Sequence, residues 1–245
     1  MAQGKDKLLE YDWRLDGEEA VFCVDLSLYN EAPNERYPIL AYVGCSPKKE
    51  GRELSGGDLR HMDAFCSKCR RKLDLLNAGF IETAAIRQYY FYLPGKAEYE
   101  KLKQFAEAER SFVCRVGGRK EEDWASYFRI LYPDAAKFQT VRNGELLAQH
   151  YSLGDSEAPR RLNLHLCFPG DPLRRQFVEE ARQEGFAIGE YEDYDSDTLP
   201  CGVVLHRICA FKKWDVDALT VQAIRIAEPF DGKLMFWDCP IVPGR

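Results

Sequence analysis

The chain has 245 residues, 45% hydrophobic and 30% charged, with a formal net charge of −6. That make-up belongs to a folded chain with room for one large domain or two small ones, and it excludes a disordered or low-complexity protein. The charge divides into −2 over residues 1–160 (24 Lys+Arg against 26 Asp+Glu) and −4 over residues 161–245 (10 against 14), so neither half is built to neutralise a phosphate backbone.

The stretch Met1 to Lys7 is charged and lacks the apolar core of a secretory signal, and no apolar run is long enough to cross a bilayer; both point to the cytoplasm. Tyr11 to Leu15 and Ala20 to Leu28 alternate around Asp16-Gly17-Glu18-Glu19 and predict a β-hairpin. A polar loop follows, then an apolar strand over Ile39 to Cys45 and an exposed loop over Ser46 to Gly57. Leu59, Met62, Cys66, Cys69, Leu73 and Leu76 recur at spacings of three and four and predict one long amphipathic helix, closed by Asn77 to Gly79. Phe80 to Arg87 and Tyr89 to Leu93 read as strands, Ala97 to Ala108 as a helix, and Phe112 to Val116 as a strand. From Pro38 the order is therefore strand, helix, strand, strand, helix, strand.

A helical connector over residues 123–151 comes next. Trp124, Tyr127, Phe128 and Leu131 form one apolar helical face behind Asp123, Pro133 divides the run, and Phe138, Val141 and Ala148 carry an apolar stripe toward Tyr151. Such aromatic surface implies two docked units. Ser152 to Pro159 is small, acidic and proline-terminated and reads as a linker. The first order of elements then returns: a strand over Leu162 to Phe168, a helix from Asp171-Pro172 to Glu184 ended by Gly185, and a strand over Phe186 to Tyr191. After the acidic loop Glu192 to Pro200 come a strand over Gly202 to Phe211, a helix from Val216 to Phe230 and a strand over Lys233 to Val242. The expected fold is α+β, two ferredoxin-like split β-α-β sandwiches joined by the connector, with domains at 1–155 and 160–245.

The chemical motifs are sparse. Cys66-Ser67-Lys68-Cys69 could hold zinc or act as a dithiol, but both thiols sit on the apolar stripe of a helix with no second C-x-x-C, so all nine cysteines are expected to be reduced and unliganded. Asp193, Asp195 and Asp197 imitate the first ligands of a calcium loop, yet Thr198 stands where a glycine is needed and Val204 where a bidentate glutamate is needed. Tyr89-Tyr90-Phe91-Tyr92 lacks the basic and glycine positions of an RNA-binding sheet, and alternation puts Tyr89 and Phe91 on one face and Tyr90 and Tyr92 on the other. Gly117-Gly118-Arg119-Lys120 reads as an exposed loop that could hold an anion. No nucleophile elbow or paired nucleophile and base appears, and no cofactor is expected.

Residues Arg161 to Val242 resemble the regulator of ribonuclease E activity B, a bacterial family of protein inhibitors with a split β-α-β fold. The resemblance runs through Leu164-His165-Leu166-Cys167-Phe168-Pro169, Phe177-Val178-Glu179-Glu180-Ala181, Gly185-Phe186, and Asp215-Val216-Asp217-Ala218-Leu219 to Phe236-Trp237-Asp238; Met235-Phe236 stands where that family has Tyr-Asp-Gly before the tryptophan. Residues 1 to about 155 resemble an uncharacterised bacterial domain family that often precedes such a module, through Val24-Asp25-Leu26-Ser27-Leu28, Ala32-Pro33, Tyr37-Pro38 and Tyr89-Tyr90-Phe91-Tyr92. The resemblances imply a non-enzymatic protein with a protein partner, and the charge balance and the lack of a long apolar run lead to the expectation of no direct contact with nucleic acid or membrane. Glu190, Glu192, Asp193, Asp195 and Asp197, interleaved with Tyr191 and Tyr194, together with Trp237, are the candidate residues for a partner carrying a basic segment. The alternative is a metal-dependent or small-molecule enzyme with its site in an inter-domain cleft around the Trp124 helix.

Overall fold

A computed structural model describes residues 7–244, and the charged stretch before Lys7 lies outside them. The chain divides into two compact units, one ending at Pro133 and the other beginning at Asp134. The division falls within the expected connector rather than after it, because Pro133 separates two segments that pack into different cores. Among the described residues no helix is long and apolar enough to cross a membrane.

The N-terminal unit runs β1 (Leu8–Leu15), β2 (Glu18–Asp25), β3 (Ile39–Ser46), α1 (Gly56–Lys72), β4 (Leu76–Glu82), β5 (Arg87–Leu93), α2 (Lys96–Glu107) and β6 (Val113–Lys120). Its strands form one antiparallel sheet in the order β1-β2-β4-β5-β3-β6. The last four are a split β-α-β sheet, and the predicted hairpin extends it beside β4. Helix α1 starts at a capping box between Ser55 and Asp58 and buries Met62, Phe65, Cys66 and Cys69. It stops at Lys72, one turn short of the predicted end, and Leu76 opens β4 instead. Gly79 is not a helix stop: it sits at a bulge in β4 with φ +141°, where a Cβ would run into the Cys23 backbone.

The alternation read in Tyr89 to Tyr92 is realised. Tyr89 and Phe91 join Ala41, Val43, Met62, Phe65, Leu102 and Phe112 under the helices. On the other face Trp124 stacks flat on Tyr92 at 3.8 Å between ring centres and donates from Nε1 to the Tyr37 carbonyl at 3.1 Å. Tyr127 donates its hydroxyl to the Asp25 carbonyl at 2.9 Å, and Tyr11 to the Leu131 carbonyl at 2.7 Å. The segment expected as an α-helix is a π-helical turn over Tyr127–Leu131, and it still buries Trp124, Tyr127 and Leu131. Gly117 and Gly118 are not a loop but part of β6, pairing with Tyr42 and Ala41; the Tyr42 and Tyr99 rings lie where their Cβ atoms would stand.

The C-terminal unit runs α3 (Ala135–Ser152), β7 (Arg160–Phe168), α4 (Asp171–Gln183), β8 (Ala187–Asp193), β9 (Cys201–Cys209), α5 (Lys213–Ala227) and β10 (Lys233–Asp238). Its antiparallel sheet has the order β10-β7-β9-β8, the second split β-α-β arrangement, so the α+β expectation holds in both units. Leu162, Leu164, Leu166 and Phe168 alternate into a core with Phe177, Val178, Ala181, Val203, Leu205, Val216, Leu219, Ala223 and Trp237. Asp134 caps α3 by accepting from the Lys137 amide at 2.9 Å. The buried face of α3 is not the predicted apolar stripe: Phe138 is 36% exposed, whereas Gln139, Thr140 and Asn143 are buried. Asn143 is satisfied there, donating to Asp217 Oδ1 and Thr220 Oγ1 at 2.8 Å each and accepting from Trp237 Nε1 at 2.7 Å.

Candidate functional site

The helices of the C-terminal unit pack on the sheet face that carries Leu162, Leu164, Leu166 and Trp237. The opposite side chains of the same strands, Asn163, His165, Cys167, Glu192, Val204, His206, Ile208, Phe236 and Asp238, form a second face, on which Ile208 is 71% and Phe236 48% exposed. At its centre His165 stands between two carboxylates: Nδ1 lies 3.2 Å from Glu192 Oε2, and Nε2 lies 2.7 Å from Asp238 Oδ2. A neutral imidazole has one N–H and can donate to one of them; an imidazolium donates to both. Phe236 stacks on the imidazole at 4.1 Å, and Asn163 donates to Asp238 Oδ1 at 2.7 Å.

The reach from β7 to Glu192 crosses β9, and a glycine makes the crossing possible. Glu192 pairs with Gly202, where a Cβ would meet the Tyr194 ring, so Tyr194 folds over the bare backbone and donates its hydroxyl to Glu192. That hydrogen bond, followed by the one from His165, holds the Glu192 carboxyl below its ordinary value. The same bond, with burial second, pushes the Tyr194 phenol up to about 12. The outcome at neutral pH is a fixed anion on a tyrosine platform, an acceptor rather than a proton shuttle.

Edge strand β8 continues the negative surface. Glu190 is exposed within a bulge between Ile188 and Tyr191. Tyr191 is 51% exposed and lies under the Arg174 guanidinium, 4.9 Å from its ring centre. Asp193 accepts from Arg174 Nη1 at 3.1 Å, with its side chain 82% exposed. Asp195 and Asp197 are exposed in the turn that follows. Five of the six sequence candidates thus share one strand and its turn. Trp237 does not join them: it is 5% exposed, in the core on the other face of the sheet, so it offers nothing to a partner. Sequence reading missed His165 and Asp238 as members of the site. The available signal was alternation, since residues out of phase with Leu164 and Leu166 must face away from the helices.

The other motifs resolve into structure. Burial pushes the Cys66 and Cys69 thiols up to about 12 each, the opposite of an activated pair. Among the described residues no cluster of His, Cys, Asp or Glu has the geometry to hold a metal ion. The expected linker Ser152 to Pro159 is pinned: Asp155 accepts from Arg160 Nη1 at 2.5 Å, from the Val242 and Ser156 amides at 2.9 and 2.8 Å, and lies 2.7 Å from His150 Nδ1. Burial by itself would raise the Asp155 carboxyl, but these bonds outweigh it and hold the group well below the usual carboxylate range.

Comparison with known proteins bears on the N-terminal unit first. A family described as being of unknown function, DUF695, matches residues 10–132. Two curated relatives are similar over part of the chain: the glutamine-hydrolyzing GMP synthase of Herminiimonas arsenicoxydans (30% identical over 119 residues, 47% of this chain and 21% of that protein) and that of Janthinobacterium sp. (strain Marseille) (29% over 117 residues, 46% and 21%). The chain therefore spans about a fifth of the length of these relatives. A solved structure, an unknown protein from Galdieria sulphuraria, aligns with 84% of this chain and 98% of its own at a TM-score of 0.22 and 10% identity, too distant to bear on function. The match across residues 10–132 covers just over half of the chain, and it makes this protein a member of the DUF695 family of unknown function.

Proposed function

We propose that the chain is a non-enzymatic, protein-binding regulator whose C-terminal unit captures a basic segment of a partner protein. The observation that carries this reading is the clustering of Glu190, Glu192, Asp193, Asp195 and Asp197 with exposed Tyr191 and Tyr194 along one edge of a sheet. Such a surface steers a cationic chain by charge and holds it by tyrosine contact. The resemblance of Arg161 to Val242 to the regulator of ribonuclease E activity B supports a protein partner and suggests a setting in RNA turnover, in a bacterial cytoplasm. The catalytic alternative has less to stand on: Trp124, around which a cleft was expected, is fully buried on Tyr92.

The test is association kinetics. A partner recovered by pull-down from native lysate is mixed with wild type and with a triple variant, Asp193→Asn, Asp195→Asn and Asp197→Asn, across ionic strength. The triple variant should associate roughly ten-fold more slowly at low salt and at nearly the wild-type rate at high salt, because exposed charges act through a screened field. Identical rates at low salt would remove the acidic segment from the binding surface.

A further inference from the structure

The charge cluster lies on an edge strand. Among the described residues β8 is hydrogen bonded to β9 alone, and it ends the sheet order with its outer side open. An open edge of this kind is a template for another extended chain, which gains main-chain hydrogen bonds from the edge and side-chain specificity from the flanking residues. Its own charge protects it, since a second copy of β8 would bring Glu190, Glu192 and Asp193 against their own kind. A strand rich in Lys and Arg meets the opposite condition.

The other three edges do not share this preference. β6 carries Arg115, Arg119 and Lys120 and would repel a basic chain. β1 mixes Glu10 and Asp12 with Arg14, and β10 mixes Lys233 with Asp238 and runs on into Cys239-Pro240. Charge complementarity thus selects β8.

From these placements we infer that a basic, extended segment of a partner protein adds to the C-terminal sheet as a fifth strand along β8. The inference rests on the proposed function and names its geometry. Beyond the bulge the two faces of β8 are both acidic: Glu192 points to the open face with His165, and Asp193 to the helical face with Arg174. An added strand alternates its side chains in the same way, so two consecutive basic residues would approach the two carboxylates from the outer side, one on each face: Glu192 across the width of β8, since its carboxyl leans over β9 toward His165, and Asp193 on the exposed side that Arg174 leaves open. A doublet of Lys or Arg suits this edge better than basic residues at every second position, which would load one face alone. Tyr191, half-exposed on β8 itself, supplies aromatic cover for the stem of a basic side chain.

The experiment uses the full chain and three capped octapeptides of equal net charge: Thr-Val-Thr-Lys-Arg-Val-Thr-Val, a form with its two basic residues separated by one threonine, and the first peptide with alternate backbone nitrogens methylated. Binding is followed by titration calorimetry at low salt and by amide hydrogen exchange. The doublet peptide should bind at least ten-fold more tightly than the methylated one and about three-fold more tightly than the separated one, and it should protect amides of β8 alone among the edge strands. Equal binding of the doublet and methylated peptides would overturn strand addition while leaving charge-driven capture standing. Protection at β1, β6 or β10 in place of β8 would overturn it as well. Failure of all three peptides to bind at low salt would overturn both the inference and the proposed function beneath it.

Discussion

The two units build the same split β-α-β sheet and finish it differently. In the N-terminal unit two helices cover one face, and the aromatic segment Trp124 to Leu131 covers the other, so Tyr92 and Tyr127 are buried as deeply as Phe91. In the C-terminal unit the helices cover one face, and the other keeps polar and exposed side chains arranged around His165. The unit with two covered faces has consumed its sheet as structure. The unit with one covered face keeps a sheet surface and an acidic edge at the solvent side, and the proposed site is drawn from them.

The comparison breaks most visibly if the aromatic layer is removed. Trp124→Ala takes away a fully buried indole stacked on Tyr92, and it should cost about 3–5 kcal/mol in the denaturant transition of the N-terminal unit. If the loss were under about 1 kcal/mol, the second layer would be a lid rather than part of the core. In the C-terminal unit the corresponding weak point is electrostatic. Asp155→Ala leaves the Arg160 guanidinium, with a side chain 2% exposed, without its carboxylate and should cost about 3 kcal/mol in thermal or urea unfolding. Because the folded Asp155 carboxyl is held below its ordinary 3.8, its contribution is complete above that value and is lost as pH falls through the lower, folded one. Acid titration of wild type should therefore weaken the C-terminal transition below about pH 4, and Asp155→Ala should flatten that dependence.

A smaller change sharpens the contrast at the open face. Gly202→Ala places a Cβ into the Tyr194 ring and should cost about 1–2 kcal/mol while displacing Tyr194 from Glu192. The check is the Tyr194 ring resonances together with urea unfolding; an unmoved ring would show that the glycine is not what lets Glu192 and Tyr194 lie over β9. The smallest stability effect belongs to the Asp193, Asp195 and Asp197 triple variant, which should unfold within about 0.5 kcal/mol of wild type, since exposed charges contribute little to folding.

Periodicity by itself determined much of this molecule. The alternation of Leu162, Leu164 and Leu166, the split faces of Tyr89 to Tyr92, and the helical spacing of Met62, Cys66 and Cys69 are local consequences of the two- and 3.6-residue repeats, and each is realised. The element order then restricted the topology to the split β-α-β arrangement found in both sheets. The acidic segment was also legible, because exposed charge needs no partner to be recognised in a sequence.

Tertiary structure decided the rest, wherever a residue answered to a distant neighbour rather than to its own period. Gln139, Thr140 and Asn143 lie outside the expected apolar stripe of α3 and became its buried side because Asp217, Thr220 and Trp237 satisfy Asn143, Gln139 donates to Asn143, and Thr140 donates to the Lys137 carbonyl. Gly117 and Gly118 read as part of a loop and Gly202 as the start of a strand, and all three proved to be the spaces occupied by Tyr42, Tyr99 and Tyr194. His165 gained its role only when β8 and β10 brought two carboxylates to either side of it, from 27 and 73 residues away in the chain. Hydrogen bonds and ring contacts over such separations leave no periodic trace, since nothing in a local repeat records what the folded chain will place opposite it.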